Sequence, residues 1–164
     1  MQVTVRHAER RDAEAIRAIY NREVTEDVNT FDIVTRSLED QIAWLDEHSG
    51  GHPAIVAVDD DGTVLGFGSL SRFRDRAAYA PTVEDTVYVD PAHHGRGVGR
   101  ALLEELVSLA EAHGFHSVIA RIVGHNEASI GVHRACGFEL VGTEREVGRK
   151  FGQWLDVVEM QRVL

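Results

Sequence analysis

The stretch that decides the fold runs from residue 82 to residue 110 and reads TVEDTVYVDPAHHGRGVGRALLEELVSLA. Its first part, Thr82 to Val89, is rich in β-branched and aromatic residues and predicts a strand that Asp90-Pro91 ends. Glycines follow at positions 95, 97 and 99. Apolar residues then recur at helical spacing, namely Val98, Leu102, Leu106 and Leu109. The stretch therefore predicts a strand, a glycine-rich turn and an amphipathic helix.

The glycine-rich turn has the composition of an anion site. Glycines at the start of a helix let backbone N–H groups approach a ligand closely, and the helix N-terminus adds about +0.5 of an elementary charge. Arg96 and Arg100 bring positive charge into an acidic chain. We expect this turn to bind a pyrophosphate group. The alternative is a purely structural glycine turn that leads into the helix.

The spacing of the glycines excludes two common phosphate sites. A P-loop needs Gly-Lys followed by Ser or Thr, whereas Gly99 is followed by Arg100-Ala101. A dinucleotide fingerprint needs G-x-G-x-x-G and an acidic residue about 20 positions later. Here the order is G-x-G-x-G, and residues 115–120 contain no acid.

The flanking sequence predicts nine further helices and strands and two turns, in one continuous domain, residues 1–164. Ser37 and Asp40 form a capping box, and the turn at 59–62 predicts a β-hairpin. The other predicted elements are strands at 2–7, 54–58, 63–70, 117–123, 140–147 and 154–163 and helices at 12–25, 38–45 and 126–135, with a Gly148/Gly152 turn between the last two strands. The order β-α-α-β-β-β-α-β-α-β-β predicts an α/β (α+β) fold, a mixed, mostly antiparallel central sheet with helices on both faces.

Composition narrows the class of protein. Lys plus Arg number 17 and Asp plus Glu 27, a net charge of −10, which disfavours binding to nucleic acid or to an anionic membrane. No apolar run is long enough to span a bilayer or resembles a signal peptide, so we expect a cytoplasmic protein. Cys136 is the only cysteine, in a stretch that predicts core packing, and the nine histidines lack metal-ligand spacing. We expect no metal.

Four sequence blocks, in the correct order, resemble the GNAT superfamily of N-acetyltransferases. Residues 94–99 are similar to its coenzyme A pyrophosphate loop, Gln/Arg-x-x-Gly-x-Gly/Ala, with His94 as a departure at the first position. Residues 126–138 (NEASIGVHRACGF) resemble its Asn-x-x-Ala…Tyr…Gly-Phe block. The strand at 82–89 and the segment GRKFGQWLDV at 148–157 are similar to the phosphinothricin acetyltransferase-like branch.

The resemblance implies acetyl-CoA as co-substrate and assigns roles to several residues. Glu84 would be the general base; the alternative is that Glu84 is a solvated strand residue without a catalytic role. Asp85 is a poorer candidate for the base, because it faces the opposite side of the strand. His133 would protonate the leaving thiolate, or it is a packing histidine. Asn126 would bind the pantetheine arm, cap its own helix, or do both.

The remaining implied contacts are with the cofactor and the amine. The main chain of Val87, Tyr88 and Val89 would bind the cofactor, and one of these amides would stabilise the oxyanion. The cofactor would also contact the loop residues Gly95, Arg96, Gly97, Val98, Gly99 and Arg100. For the amine substrate we expect contacts from Arg74, Arg76, Tyr79 and Val83, since alternate arginines can grip a carboxylate or phosphinate. The alternative for the arginines is a solvated surface.

The expected function is transfer of an acetyl group from acetyl-CoA to the amine of a small amino acid or amino-acid analogue, by direct attack. The resemblance implies phosphinothricin, methionine sulfoximine or methionine derivatives as substrates. Acetylation of a protein, a peptide or a polyamine, and a non-catalytic acyl-CoA-binding module, remain open. The resemblance also implies a homodimer, in which Phe151, Trp154 and Leu155 cover the interface or else the core.

Overall fold

Seven strands form one sheet in the computed structural model, which describes residues 1–164. The strands are β1 (Thr4–His7), β2 (Ala54–Val58), β3 (Val64–Arg72), β4 (Thr82–Val89), β5 (Ser117–Val123), β6 (Glu139–Lys150) and β7 (Gln153–Val163). The helices are α1 (Ala13–Glu26), α2 (Leu38–Glu47), α3 (Val98–Ala112) and α4 (Glu127–Ala135). The sheet order is β1-β2-β3-β4-β5-β7-β6, and only β4 and β5 pair in parallel. The predicted element order and mixed, mostly antiparallel sheet are confirmed.

Helices cover both faces of the sheet because alternate residues of the strands point to opposite sides. Ile55 and Ala57 of β2 pack in the larger core with the buried stripe of α3, whereas Val56 and Val58 pack in a smaller core with α1. Leu102 and Leu106 of α3 have no exposed surface, as the helical spacing predicts. None of the helices has the length and apolar character required to cross a bilayer.

Short-range signals in the sequence act as predicted. The Ser37 hydroxyl accepts from the Asp40 amide at 3.0 Å, and the Asp40 carboxylate accepts from the Ser37 amide at 3.1 Å, which completes the capping box. The hairpin between β2 and β3 turns at Gly62, whose φ of +82° suits glycine.

The β6–β7 hairpin differs from the prediction. Strand β6 continues through Gly148 to Lys150, and the turn consists of Phe151 and Gly152, both with positive φ. Gly148 is required for another reason: a Cβ at this position would overlap the ring of Phe31. The glycine therefore permits close approach of the loop after α1, a long-range contact that turn statistics do not reveal.

Lys150 fastens this hairpin to the loop that follows α1. Its side chain is buried, and Nζ donates hydrogen bonds to the carbonyl oxygens of Glu23 at 3.2 Å and Thr30 at 2.9 Å. Burial lowers the pKa of the Lys150 ammonium. The Glu23 carbonyl lies in the last turn of α1, where a cation is favoured by the helix dipole.

Candidate active site

The central feature of the site is a split between β4 and β5. The two strands pair at Thr82–Ser117, Val83–Val118 and Glu84–Ile119, and the pairing then ends. Beyond this point β5 stays paired with β7 and β4 with β3, so the edges that β4 and β5 turn to each other are free for a ligand. A groove of about 640 Å³ opens there, lined by residues 85–89 of β4, 120–123 of β5 and the start of α3.

The groove ends at an uncapped helix N-terminus. Gly95 and Gly97 have φ of +74° and +79°, and Gly97 occupies the N-cap position of α3 without any side-chain cap. A Cβ built on either glycine would meet no atom within 4 Å, so the space above the turn is open. Such a turn presents backbone N–H groups and a positive helix end to an anion. These residues fit a pyrophosphate group.

His94 stands at the position where the resembling loop has glutamine or arginine. Its Nε2 lies 3.0 Å from the carbonyl oxygen of Val89, so the ring donates a hydrogen bond to the end of β4. This contact ties the glycine-rich turn to the strand that forms one wall of the groove.

Glu84 lies at the point where the strands separate. It is the last residue of β4 in register with β5, and its side chain is half-buried on the α1 face of the sheet. Burial raises the pKa of this carboxyl, although the positive charges of Arg121 and Arg74 oppose the shift. A carboxylate with a raised pKa next to a cleft is suited to accept a proton.

Asp85 and His133 form a buried pair on the opposite face of β4. Nε2 of His133 is 2.8 Å from Oδ2 of Asp85, and the two side chains are 6% and 2% exposed. Nδ1 lies 2.8 Å from the carbonyl oxygen of Ser129, one helical turn earlier. Burial alone would lower the pKa of His133, but the hydrogen bond and charge of Asp85 outweigh it, so that the pKa is raised.

Two tyrosines define the α1 side of the site. Tyr20 donates to the carboxylate of Asp32 and lies 3.1 Å from the hydroxyl of Thr30, and burial raises its pKa to about 12. Tyr88 donates to the carbonyl oxygen of Asn29 at 3.5 Å, and burial raises its pKa as well. Both phenols are therefore protonated at neutral pH. Tyr20 binds the loop after α1 to that helix, and Tyr88 binds the same loop to β4.

The structure brings most of the predicted cofactor residues together around the groove. Those that line it are Val87, Tyr88, Val89, Gly95, Gly97, Val98, Gly99, Arg100 and Asn126, and the predicted catalytic residue His133 lines it as well. Arg96 is exposed outside it, and Arg100 is exposed at its rim with Nε 2.7 Å from Glu104. Asn126 caps α4 by accepting from the Ser129 amide at 3.1 Å. Its amide nitrogen donates to Asn29 at 3.0 Å. The helix cap is therefore present, and the contact with the pantetheine arm stays a prediction.

The predicted substrate-binding residues differ in their exposure. Arg74 and Arg76 are exposed, and the guanidinium of Arg74 lies 4.9 Å and 5.8 Å from the ring centroids of Phe73 and Tyr79. Val83 has no exposed surface and packs in the core with α3. The prediction of a substrate contact is wrong for the Val83 side chain, because strand alternation turns it away from the face that Glu84 occupies.

Sequence reasoning missed the partner of His133. Asp85 shares the core-facing side of β4 with Val83 and Val87, and a carboxylate in an otherwise apolar strand face signals a buried partner. It also missed Glu23 and Asn29, which line the groove and are joined by a 2.9 Å hydrogen bond. No cluster of three or more metal-ligating side chains is present.

Comparison with known proteins agrees with this geometry. Residues 5–158 match the model of the acetyltransferase (GNAT) domain family. An L-methionine sulfoximine/L-methionine sulfone acetyltransferase of Pseudomonas aeruginosa is 40% identical, with 98% of this chain and 94% of the relative covered. A phosphinothricin N-acetyltransferase of Streptomyces coelicolor is 39% identical, with 99% and 97% covered.

A solved structure extends the similarity to three dimensions. The crystal structure of a GNAT superfamily phosphinothricin acetyltransferase from Sinorhizobium meliloti, in complex with AcCoA, superposes with a TM-score of 0.96 and 41% identity. The match covers all of this chain and 89% of that one.

Proposed function

The chain belongs to the GNAT acetyltransferase family, and we propose that it acetylates the amine of a small amino acid or amino-acid analogue with acetyl-CoA. The proposed substrates are of the phosphinothricin, methionine sulfoximine or methionine derivative type, which the names of its relatives suggest. We further propose that residues 1–164 act as one catalytic domain in the cytoplasm, without a metal. The buried free thiol of Cys136 suits a reducing compartment.

One observation carries this proposal: the groove extends from the uncapped end of α3 to the split between β4 and β5, and Glu84 is the last paired residue of β4 at that split. The turn at 95–100 would hold the pyrophosphate of coenzyme A through backbone amides. The unpaired edge of β4 at Val87, Tyr88 and Val89 would pair with the pantetheine arm through its main chain. When bound, acetyl-CoA supplies the activated thioester.

The residues at the split would move the protons. At pH 7 only about 0.1% of an amine with a pKa near 10.4 is neutral, so a base is needed. Glu84 would accept the ammonium proton, directly or through water. A backbone N–H at the free edge of β4 would stabilise the developing oxyanion, and such donors are worth about 3–4 kcal/mol. His133, whose pKa Asp85 raises, would supply a proton to the departing sulfur.

Arg74, Arg76 and Tyr79 lie in the β3–β4 connection, and we propose that they recognise the acidic end of the substrate. The positive charge of Arg74 lowers the pKa of Glu84, which supports a position for Arg74 near the proposed base. A guanidinium can bind a carboxylate or phosphinate through two parallel hydrogen bonds.

An amine panel with acetyl-CoA, measured by release of free thiol, tests the proposed function. We expect the highest kcat/KM among methionine sulfoximine, methionine sulfone, phosphinothricin and methionine, and negligible activity on spermidine and a lysine peptide. The Glu84→Gln variant provides the blank. Preference for the polyamine or the peptide would support the rival acceptors, and cofactor binding with no thiol release would support a non-catalytic module.

We also propose a homodimer, since the β6–β7 hairpin carries large exposed apolar side chains. Phe151 and Trp154 are 56% and 61% exposed, and Val147 is 51% exposed beside them, whereas Leu155 is buried in the core. Sedimentation at micromolar concentration is expected to give twice the 18.2 kDa mass of the chain, and Trp154→Glu is expected to shift it to monomer. A wild-type monomer would contradict the proposal.

A further inference from the structure

The ring of His133 has a hydrogen-bond acceptor at each nitrogen. Nδ1 faces the carbonyl oxygen of Ser129, and Nε2 faces the carboxylate of Asp85, both at 2.8 Å. A carbonyl oxygen accepts only, and an ionised carboxylate accepts only. With Asp85 ionised, both ring nitrogens carry protons and the ring is an imidazolium. This conclusion follows from the chemistry of the donors and acceptors at the two nitrogens.

Both side chains of the pair are buried, and one oxygen of Asp85 has no protein partner. Oδ1 is buried and makes no hydrogen bond, while Oδ2 bonds the ring. A buried carboxylate with one vacant oxygen is costly unless a cation lies next to it. The imidazolium is that cation, so Asp85 and His133 stabilise each other's charged forms.

We propose that Asp85 is a positioning residue that acts through His133: its carboxylate binds Nε2–H and holds the ring as an imidazolium, whose Nδ1 proton, bound to the Ser129 carbonyl at rest, would pass to the departing sulfur. The inference rests on the proposed function for its catalytic consequence. The division of labour is that of a catalytic triad, where the carboxylate binds one ring nitrogen and the other transfers the proton. Ser129, whose Oγ is 3.4 Å from Nδ1, also lines the groove.

The proton balance is complete. As the carbon–sulfur bond breaks, its electron pair goes to sulfur, and His133 gives up its Nδ1 proton and becomes neutral imidazole. The ammonium substrate loses two protons in all while it becomes an amide, the thiolate gains one, and one is released to solvent. Glu84 and Asp85 are adjacent in sequence but face opposite sides of β4, so the proton acceptor and the proton donor are kept apart.

No other charge competes for the ring. Besides Arg134 on α4 itself, the charged groups at this end of the helix are Asp85 on β4, Arg100 and Glu104 on α3 and Arg162 on β7, and these four act on the nearby thiol of Cys136. Among these groups Asp85 alone acts appreciably on His133. Replacing Asp85 should therefore change the pKa of the His133 ring, with no other charged group to offset the change.

The test is Asp85→Asn, which keeps the shape of the side chain but replaces an acceptor with a donor. In ligand-free protein we expect NMR of the His133 ring, assigned with His133→Gln, to show it doubly protonated at pH 8. In Asp85→Asn the ring should be neutral at that pH. A wild-type ring that titrates near pH 6.5, or one that Asp85→Asn leaves unchanged, would overturn the proposal. This readout does not depend on turnover, so it stands apart from the amine panel.

The kinetic consequence is a shift of the alkaline limb of kcat. In Asp85→Asn we expect His133 to have an ordinary histidine pKa of about 6.5, so its protonated fraction falls steeply between pH 6 and pH 8. The kcat of this variant should therefore be at least about 20-fold lower at pH 8 than at pH 6. The wild type should lose far less over the same range. The double variant with His133→Gln should match His133→Gln alone. Losses that multiply instead would mean that Asp85 acts independently of His133.

Discussion

Glu84→Gln is expected to lower kcat by about 10²–10⁴-fold, the range typical for loss of a general base. The substitution keeps the size of the side chain and removes only its ability to accept a proton. Glu84 lies outside the groove that would hold the cofactor, so the Kd of acetyl-CoA, measured by calorimetry, should be unchanged. An unchanged kcat at neutral pH would remove Glu84 from this role.

The pH dependence provides a second measure of the same residue. Glu84 works in its ionised form, so activity should rise with pH as the carboxyl loses its proton. Burial raises its pKa, and the acid limb of kcat/KM should lie above the ordinary glutamate value. Glu84→Gln should lose this limb. Glu139→Gln, an exposed glutamate of β6, is the matched control and should retain both rate and limb.

Gly97→Val is expected to raise the Kd of acetyl-CoA by about 100-fold, equivalent to roughly 3 kcal/mol. Gly97 has φ of +79°, a conformation that a β-branched residue adopts only with strain of about 1–2 kcal/mol. A side chain there would also enter the open space above the turn and hinder close approach of the pyrophosphate to the backbone amides. Isothermal calorimetry with acetyl-CoA measures the effect.

Gly62→Val is the matched control for this prediction. Gly62 has φ of +82° and equally open space around its Cβ, but it lies in the β2–β3 hairpin and does not line the groove. The two variants should lose similar stability in urea, while only Gly97→Val weakens binding. A Kd for Gly97→Val within about threefold of the wild type would show that the turn does not hold the cofactor.

The helices, strands and turns of the fold follow from local sequence signals, namely apolar periodicity, helix caps and turn residues. The apolar stripe of α3, the Ser37–Asp40 capping box and the turn at Gly62 depend on residues a few positions apart, and each was predictable within one or two residues. The glycine-rich turn before α3 belongs to the same group, because helix N-terminus and glycine spacing are properties of one short segment.

The site required the tertiary structure because its contacts join distant parts of the chain. Asp85 and His133 are 48 residues apart in sequence. Lys150 donates a hydrogen bond to the carbonyl oxygen of Thr30, which is 120 residues away in sequence. Strand alternation alone predicted that Asp85 turns away from Glu84, yet which group it meets depends on how α4 packs against β4. The sequence by itself determined the order of elements and the anion-binding turn. The three-dimensional packing decided which carboxylate lies at the split and which binds the imidazole, because hydrogen-bond partners and desolvation arise only when separate segments are brought together.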